Sequence, residues 1–209
     1  MKKIRLFFDF LSPYSYFAWI NHEKMLPQDD LEFVYSPVLM GKLFSHHEFP
    51  GPGMIKAKRD YELKVCFRYA AKNNIEFNPP HTFPFNPLAI IRIATQSASK
   101  EDQKELISLI FDTVWKDGVV LEDPEMIEKV LINAKLDKNI IERSFEREAK
   151  QELKQNIKEA LNYNIFGVPT FQINDEIFWG NNSFDDINRY LDGNDIWDKK
   201  LYNKLLENN

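Results

Sequence analysis

Hydrophobic and polar positions change their period twice along this chain. Ile4, Leu6, Phe7, Phe8 and Phe10 make a nearly unbroken apolar and aromatic run, which predicts a buried strand. Ser12 and Pro13 follow it. Serine is a preferred helix cap, and proline suits the first helical position, so the spacing predicts a helix over about 13–25. L-E-F-V-Y-S-P-V at 31–38 reads as a second strand, and H-H-E-F-P-G-P-G at 46–53 as a loop. From there to about residue 164 the pattern is helical. Leu106, Ile110 and Val114 recur with Ile107 and Phe111 beside them, and Phe145, Ala149, Leu153, Ile157 and Leu161 form a longer stripe. Ser99 with Asp102, and Asp123-Pro124-Glu125, have the form of helix starts. T-F-Q-I-N (170–174) and E-I-F-W-G (176–180) then predict a tight hairpin around Asn174-Asp175. Ser183 with Asp186 is expected to cap a final helix holding Ile187, Tyr190 and Leu191.

Composition narrows the function classes. The chain has 209 residues, 44% hydrophobic and 28% charged, which is a globular balance far from that of disordered chains. Its net charge of −5, without a long basic block, argues against nucleic acid as a partner. No apolar stretch is long enough to span a bilayer. Met1-Lys2-Lys3 before an apolar run imitates a secretory signal, but Arg5 and Asp9 interrupt it and no small-residue cleavage site follows. The expectation is an uncleaved, cytoplasmic protein. One cysteine, Cys66, forbids an internal disulfide and any intramolecular dithiol cycle, and reads as a structural thiol. The four histidines lack a metal-ligand spacing, so no metal site is expected.

The order βαβ, helical block, ββα is that of a thioredoxin-like α/β fold. It predicts one sheet built from residues 1–44 and 165–209, with a large all-helical insertion over 45–164. In that fold a C-x-x-C opens the first helix and a cis-proline faces it from just before the third strand. Here S-P-Y-S (12–15) has the same spacing with both sulfurs replaced by hydroxyls, and G-V-P-T (167–170) stands where the cis-proline would be. Ser12 is then either a plain cap or a group that carries chemistry, because capping and anion binding use the same helix N-terminus.

F-D-F-L-S-P-Y-S-Y at 8–16, F-P-F-N-P-L at 83–88, V-W-K-D-G at 114–118, F-G-V-P-T at 166–170 and F-W-G-N-N at 178–182 resemble, in order, the motifs of the 2-hydroxychromene-2-carboxylate isomerases. The chain resembles kappa-class glutathione transferases more distantly. The resemblance implies glutathione as cofactor, with Ser12 holding its sulfur. A hydroxyl and a helix N-terminus both favour thiolate over thiol, so the borrowed sulfur would be the nucleophile. It further implies that Pro169 is cis and that the backbone of Val168 pairs with the cysteinyl unit of glutathione. Trp179, Gly180, Asn181 and Asn182 would hold its γ-glutamyl end. This turn departs from the family's W-G-(N/S)-D-R, with Asn182 for the Asp and Ser183 for the Arg. That exchange removes an ion pair, which implies weaker glutathione binding or another thiol partner.

Lys58 and Tyr61 match a substrate-side Lys-x-x-Tyr of the family, although a lone Lys on a helix is commonly solvated. Asn86 is either a helix cap before Pro87 or a cleft residue, and the cap is favoured. S-H-H-E-F-P-G (45–51) replaces an Asn-bearing loop of the kappa class. The activity implied is isomerisation of a small electrophilic substrate, by thiolate addition to an electron-poor alkene, rotation and elimination. A kappa-like transferase or peroxidase, and a thioredoxin-like binding module without turnover, are the alternatives. The kappa class also points to a homodimer.

Overall fold

In the computed structural model, residues 2–26 and 31–207 are described; the remaining residues of the expected sheet halves lie outside that range. The sheet comprises β1 (Lys2–Phe8), β2 (Leu31–Pro37), β3 (Thr170–Ile173) and β4 (Glu176–Trp179), in the order β2-β1-β3-β4. β1 runs parallel to β2 and antiparallel to β3, with Arg5 opposite both Val34 and Gln172. β3 and β4 form the expected hairpin, with Asn174 at φ 53° in its turn. The first and last thirds of the chain therefore meet at β1, in the thioredoxin-like arrangement that the sequence predicts.

Side chains on a strand alternate between faces, and β1 is buried on both of them. Ile4, Leu6 and Phe8 enter the main core with Tyr16 and Phe17 of α1 (Pro13–Met25). Phe7 points the other way, into a smaller cluster with Val38, Leu43, Ala160, Ile165 and Val168. Burying each such side chain contributes about 1.5–3 kcal/mol, so the strand's register is tightly specified.

Between the two halves lie α2 (Met40–His46), α3 (Lys56–Asn73), α4 (Leu88–Ile93), α5 (Gln96–Ser99), α6 (Gln103–Phe111), α7 (Pro124–Asn133), α8 (Asn139–Ser144) and α9 (Arg147–Asn162). α6 widens into a π-helical turn over Asp112–Lys116. That turn carries Trp115, whose indole N–H donates to the Phe10 carbonyl at 2.8 Å in a fully buried setting. Phe111 packs edge-on to Phe10 at 4.8 Å between ring centroids. The helical block thus grips the residues through which β1 leaves the sheet.

Several expected helix boundaries move. Asp123 does cap α7, accepting from Glu125 N at 3.0 Å. Ser99 does not cap forward; its hydroxyl donates back to the Thr95 carbonyl at 2.7 Å, and Asp102 precedes α6 without a side-chain cap. The stripe from Phe145 to Leu161 is broken, because Glu146 is extended at ψ 163° and α9 starts only at Arg147. Phe145 accordingly ends α8 and is 56% exposed. Ser183 precedes α10 (Phe184–Leu191), but its hydroxyl turns to the Gly180 carbonyl at 2.8 Å. α10 is not the last helix: α11 (Lys199–Leu206) follows, with Leu201 and Tyr202 exposed.

Asp9 is a charged residue set in an apolar run, and the fold buries it almost completely. Its Oδ1 accepts from Leu11 N at 2.9 Å, its Oδ2 from Met40 N at 2.7 Å, and its carbonyl from Ser12 N at 3.0 Å. Burial pushes its pKa up from 3.8 to about 6, although the bonds from Leu11 and Met40 pull the other way. Both carboxylate oxygens are needed as acceptors, which explains why a charge is kept in so costly a place.

Two outcomes follow from these buried polar groups. Trp115→Phe leaves the Phe10 carbonyl without its donor, and urea unfolding should show a loss of about 2–3 kcal/mol. For Asp9, the folded state holds its proton more tightly than the unfolded chain between pH 3.8 and 6. Stability from this group therefore rises as pH falls through that window, and the burden of the buried carboxylate is fully present above it. Measured against Asp9→Asn, which cannot titrate, the wild type should gain roughly 2–3 kcal/mol between pH 7 and pH 4. A constant difference across that range would show that Asp9 does not titrate there.

Candidate functional site

Three segments meet at the carboxyl end of β1: the turn leading to Ser12, the loop before β3, and the turn after β4. Ser12 is buried, extended in backbone (φ −96°, ψ 112°), and caps α1 by accepting from Ser15 N at 3.1 Å. Its hydroxyl donates to the Val168 carbonyl at 3.2 Å. The two residues are 156 positions apart in sequence. The Val168–Pro169 peptide is cis, as the resemblance implies, and so is Phe83–Pro84, for which no expectation existed. Pro169 passes the connection on, since Gly180 N donates to its carbonyl at 2.9 Å.

Gly180 sits at φ 101°, a conformation in which an added Cβ would come within 2.7 Å of Asn182 Oδ1. Asn181 is buried and Asn182 is exposed. Trp179 is 55% exposed and packs on Phe166 at 5.1 Å, with its indole edge against Gly167. Ser12, Val168, Pro169, Trp179 and Gly180 thus form one contiguous group, with Asn181 and Asn182 continuing it along the chain.

The softer candidates fall in two places. Tyr14, two residues beyond Ser12, is half-buried, with Cys66 of α3 among the groups that act on its phenol. Burial raises the pKa of the Tyr14 phenol, and Cys66, Glu62 and Tyr61 raise it further. Tyr61 lies on α3 beside Glu62, five residues before Cys66, and is exposed. Lys58 ion-pairs with Glu62 at 3.9 Å on the exposed side of that helix. The Cys66 thiol is itself pushed up to about 11, chiefly by burial, which matches its reading as a structural thiol. Asn86 uses its side-chain oxygen to accept from Leu88 N at 3.1 Å, and its own N–H donates to Glu122 at 3.2 Å. It thus holds the first N–H of α4 from one residue further out than expected, since Pro87 rather than Asn86 stands at the N-cap.

Sequence reasoning did not find Asp9, Tyr14 or His47. Asp9 was visible only as an interruption of the apolar run. His47 contacts the Ile165 carbonyl through Nε2 at 3.1 Å, a pairing across 118 positions that no local pattern could show. Ser15 was noted as the second hydroxyl of the motif. Among the described residues, its Oγ is the buried side-chain polar atom that lacks a hydrogen-bond partner.

Elsewhere, a hollow of about 320 Å³ lies against Arg5, Tyr35, Gln103, Glu152 and Asn156. Its charged groups are largely spent on one another: Arg5 pairs with Glu159, and Glu152 accepts from Gln96 N and Ser97 N. Among the described residues there is no cluster of three or more metal-ligating side chains, and no helix long and apolar enough to cross a membrane.

Comparison with known proteins agrees with this fold. A 2-hydroxychromene-2-carboxylate isomerase of Sphingobium xenophagum is 24% identical over 91% of this chain and 98% of its own. A solved structure of a 2-hydroxychromene-2-carboxylate isomerase superposes with a TM-score of 0.79, at 22% identity over 90% of this chain and 94% of that one. The cytosolic disulfide reductase DsbM of Pseudomonas aeruginosa shares the fold, with a TM-score of 0.63 at 14% identity over 97% and 98% of the two chains. The profile of the DsbA-like thioredoxin domain matches residues 3–192, from the start of β1 to the end of α10. The chain belongs to the DsbA-like thioredoxin domain family.

Proposed function

We propose that this protein is a glutathione-dependent isomerase acting on a small electrophilic substrate. The observation that carries the reading is the pairing of the Ser12 hydroxyl, at the N-terminus of a 13-residue helix, with the Val168 carbonyl beside a cis-proline. The isomerases named above, aligned over nearly the whole chain, support the class of reaction. The donor set fits a cysteinyl thiol. Ser12 offers a hydroxyl at the positive end of α1, and Val168 offers a backbone edge suited to an extended peptide. Bound there, glutathione would supply a sulfur nucleophile suited to reversible addition to an electron-poor alkene.

The chain's own part is an exchange of hydrogen bonds. Ser12 now donates to Val168 O and accepts from Ser15 N. If an incoming peptide N–H took the Val168 carbonyl, the Ser12 proton would be free to rotate toward the sulfur, leaving neither Ser12 Oγ nor the Val168 carbonyl unpaired. The Ser15 N–H keeps Ser12 Oγ in place throughout. The turn at Gly180–Asn182 is held by the Gly180 bond to Pro169 and the Ser183 bond to Gly180, so the exposed Asn182 amide meets a γ-glutamyl end by neutral hydrogen bonding. A hydroxyl rather than a thiol at position 12 prevents the protein from forming a mixed disulfide there.

Titration calorimetry with reduced glutathione, combined with the ultraviolet thiolate band at neutral pH, tests the proposal. Wild type should bind saturably with a thiolate signal. Ser12→Ala should lose that signal and weaken binding roughly 10- to 100-fold, the worth of a hydrogen bond to a charged group. Its stability should fall by about 1 kcal/mol from the lost cap. An unchanged affinity in Ser12→Ala would make Ser12 a cap only, and no binding at millimolar glutathione would remove the cofactor. With binding established, a stable conjugate in place of a rearranged alkene would move the activity to the transferase class.

A further inference from the structure

α2 is too short to be stable by itself, and Leu39, the residue that precedes it, offers no side-chain cap. What holds it is instead shared with the two halves of the candidate site. At one end, the Met40 N–H donates to Asp9 Oδ2 at 2.7 Å. The same carboxylate binds Leu11 N, and the Asp9 carbonyl binds Ser12 N, so one buried residue joins the start of α2 to the turn that presents Ser12. In the middle, Leu43 is fully buried in the cluster that contains Ile165 and Val168. At the other end, His47 Nε2 donates to the Ile165 carbonyl at 3.1 Å, three residues before Val168.

We infer that α2 is a strap that sets the Ser12–Val168 geometry, and that Asp9 and His47 are its positioning residues. That the strap serves a thiol site rests on the function proposed above; its two attachments do not. Asp9 must be a carboxylate, because two N–H groups point at its two oxygens and an amide has only one acceptor. His47 needs only a proton on Nε2, which one neutral tautomer and the imidazolium both provide. A glutamine amide can reach the same carbonyl, whereas alanine cannot. Since Ser12 and Val168 belong to opposite ends of the chain, a shift of α2 at either attachment alters the distance across which the hydroxyl must switch partners. Misplacement of a reacting group by about 1 Å can cost on the order of 100-fold in rate.

The test uses the whole chain labelled with 5-fluorotryptophan, with glutathione as the ligand. Trp179 packs on Phe166, next to Ile165, so its fluorine resonance reports the cis-proline loop without any ligand. It is assigned with Trp179→Phe. In His47→Ala the Trp179 resonance should shift and broaden while those of the buried Trp19 and Trp115 stay in place, and glutathione affinity should fall roughly five- to tenfold. His47→Gln should restore both. Asp9→Asn should perturb Trp179 in the same way as His47→Ala. A Trp179 resonance and an affinity that match wild type in His47→Ala would overturn the strap. So would equal losses in His47→Ala and His47→Gln that track only the melting temperature, since that pattern denotes packing. If wild type binds no glutathione, the cofactor assignment fails by itself, and the fluorine spectra still decide whether α2 ties the two loops together.

Discussion

Everything in this structure depends on β1 being buried on both faces. Ile4, Leu6 and Phe8 commit one face to the helical core, and Phe7 commits the other to the cluster under α9. A slip of one residue would exchange the two sets of side chains, so the register is held by both cores at once. The strand therefore delivers Asp9 to Ser12 to a fixed place at its carboxyl end, where open α/β sheets commonly bind ligands. The helical block then closes on that exit, with Phe111 against Phe10 and the Trp115 indole on the Phe10 carbonyl.

Around this exit, hydrogen bonds to backbone groups rather than ion pairs arrange the site. Asp9 is spent on backbone N–H groups, Ser12 on Ser15 N and Val168 O, and His47 on Ile165 O. No lysine or arginine takes part in these bonds, so the partial positive charge of the α1 N-terminus is the feature that favours an anion at Ser12. That suits a single thiolate better than a multiply charged ligand. In the proposed cycle the Val168 carbonyl would be the pivot, because Ser12 and an extended peptide would compete for the same acceptor.

Proteins of different chemistry share this fold. A disulfide reductase and a 2-hydroxychromene-2-carboxylate isomerase both superpose on this chain. Fold alone does not choose between such activities, and the choice falls to the groups that open the first helix. Here those are Ser12 and Ser15, two hydroxyls at the spacing of a dithiol. The lone thiol, Cys66, lies buried in α3 with its pKa raised by that burial, a poor setting for a nucleophile.

The sequence by itself determined the order of strands and helices along the chain, the hairpin, and the first helix with its cap. Each of these is coded locally, by period, by turn chemistry at Asn174, or by Ser12 followed by Pro13. Helix boundaries inside the block were less legible. Ser99 and Ser183 look like caps, but tertiary packing offered their hydroxyls nearby carbonyls, and Phe145 has the helical spacing although the chain straightens at Glu146. Only the tertiary structure decided that Asp9 is buried and shared between two loops, that His47 reaches Ile165, and that Ser12 faces Val168. These are single hydrogen bonds between positions 31, 118 and 156 residues apart. Such contacts leave no period in a sequence, because the geometry that creates them exists only after both cores have closed on β1.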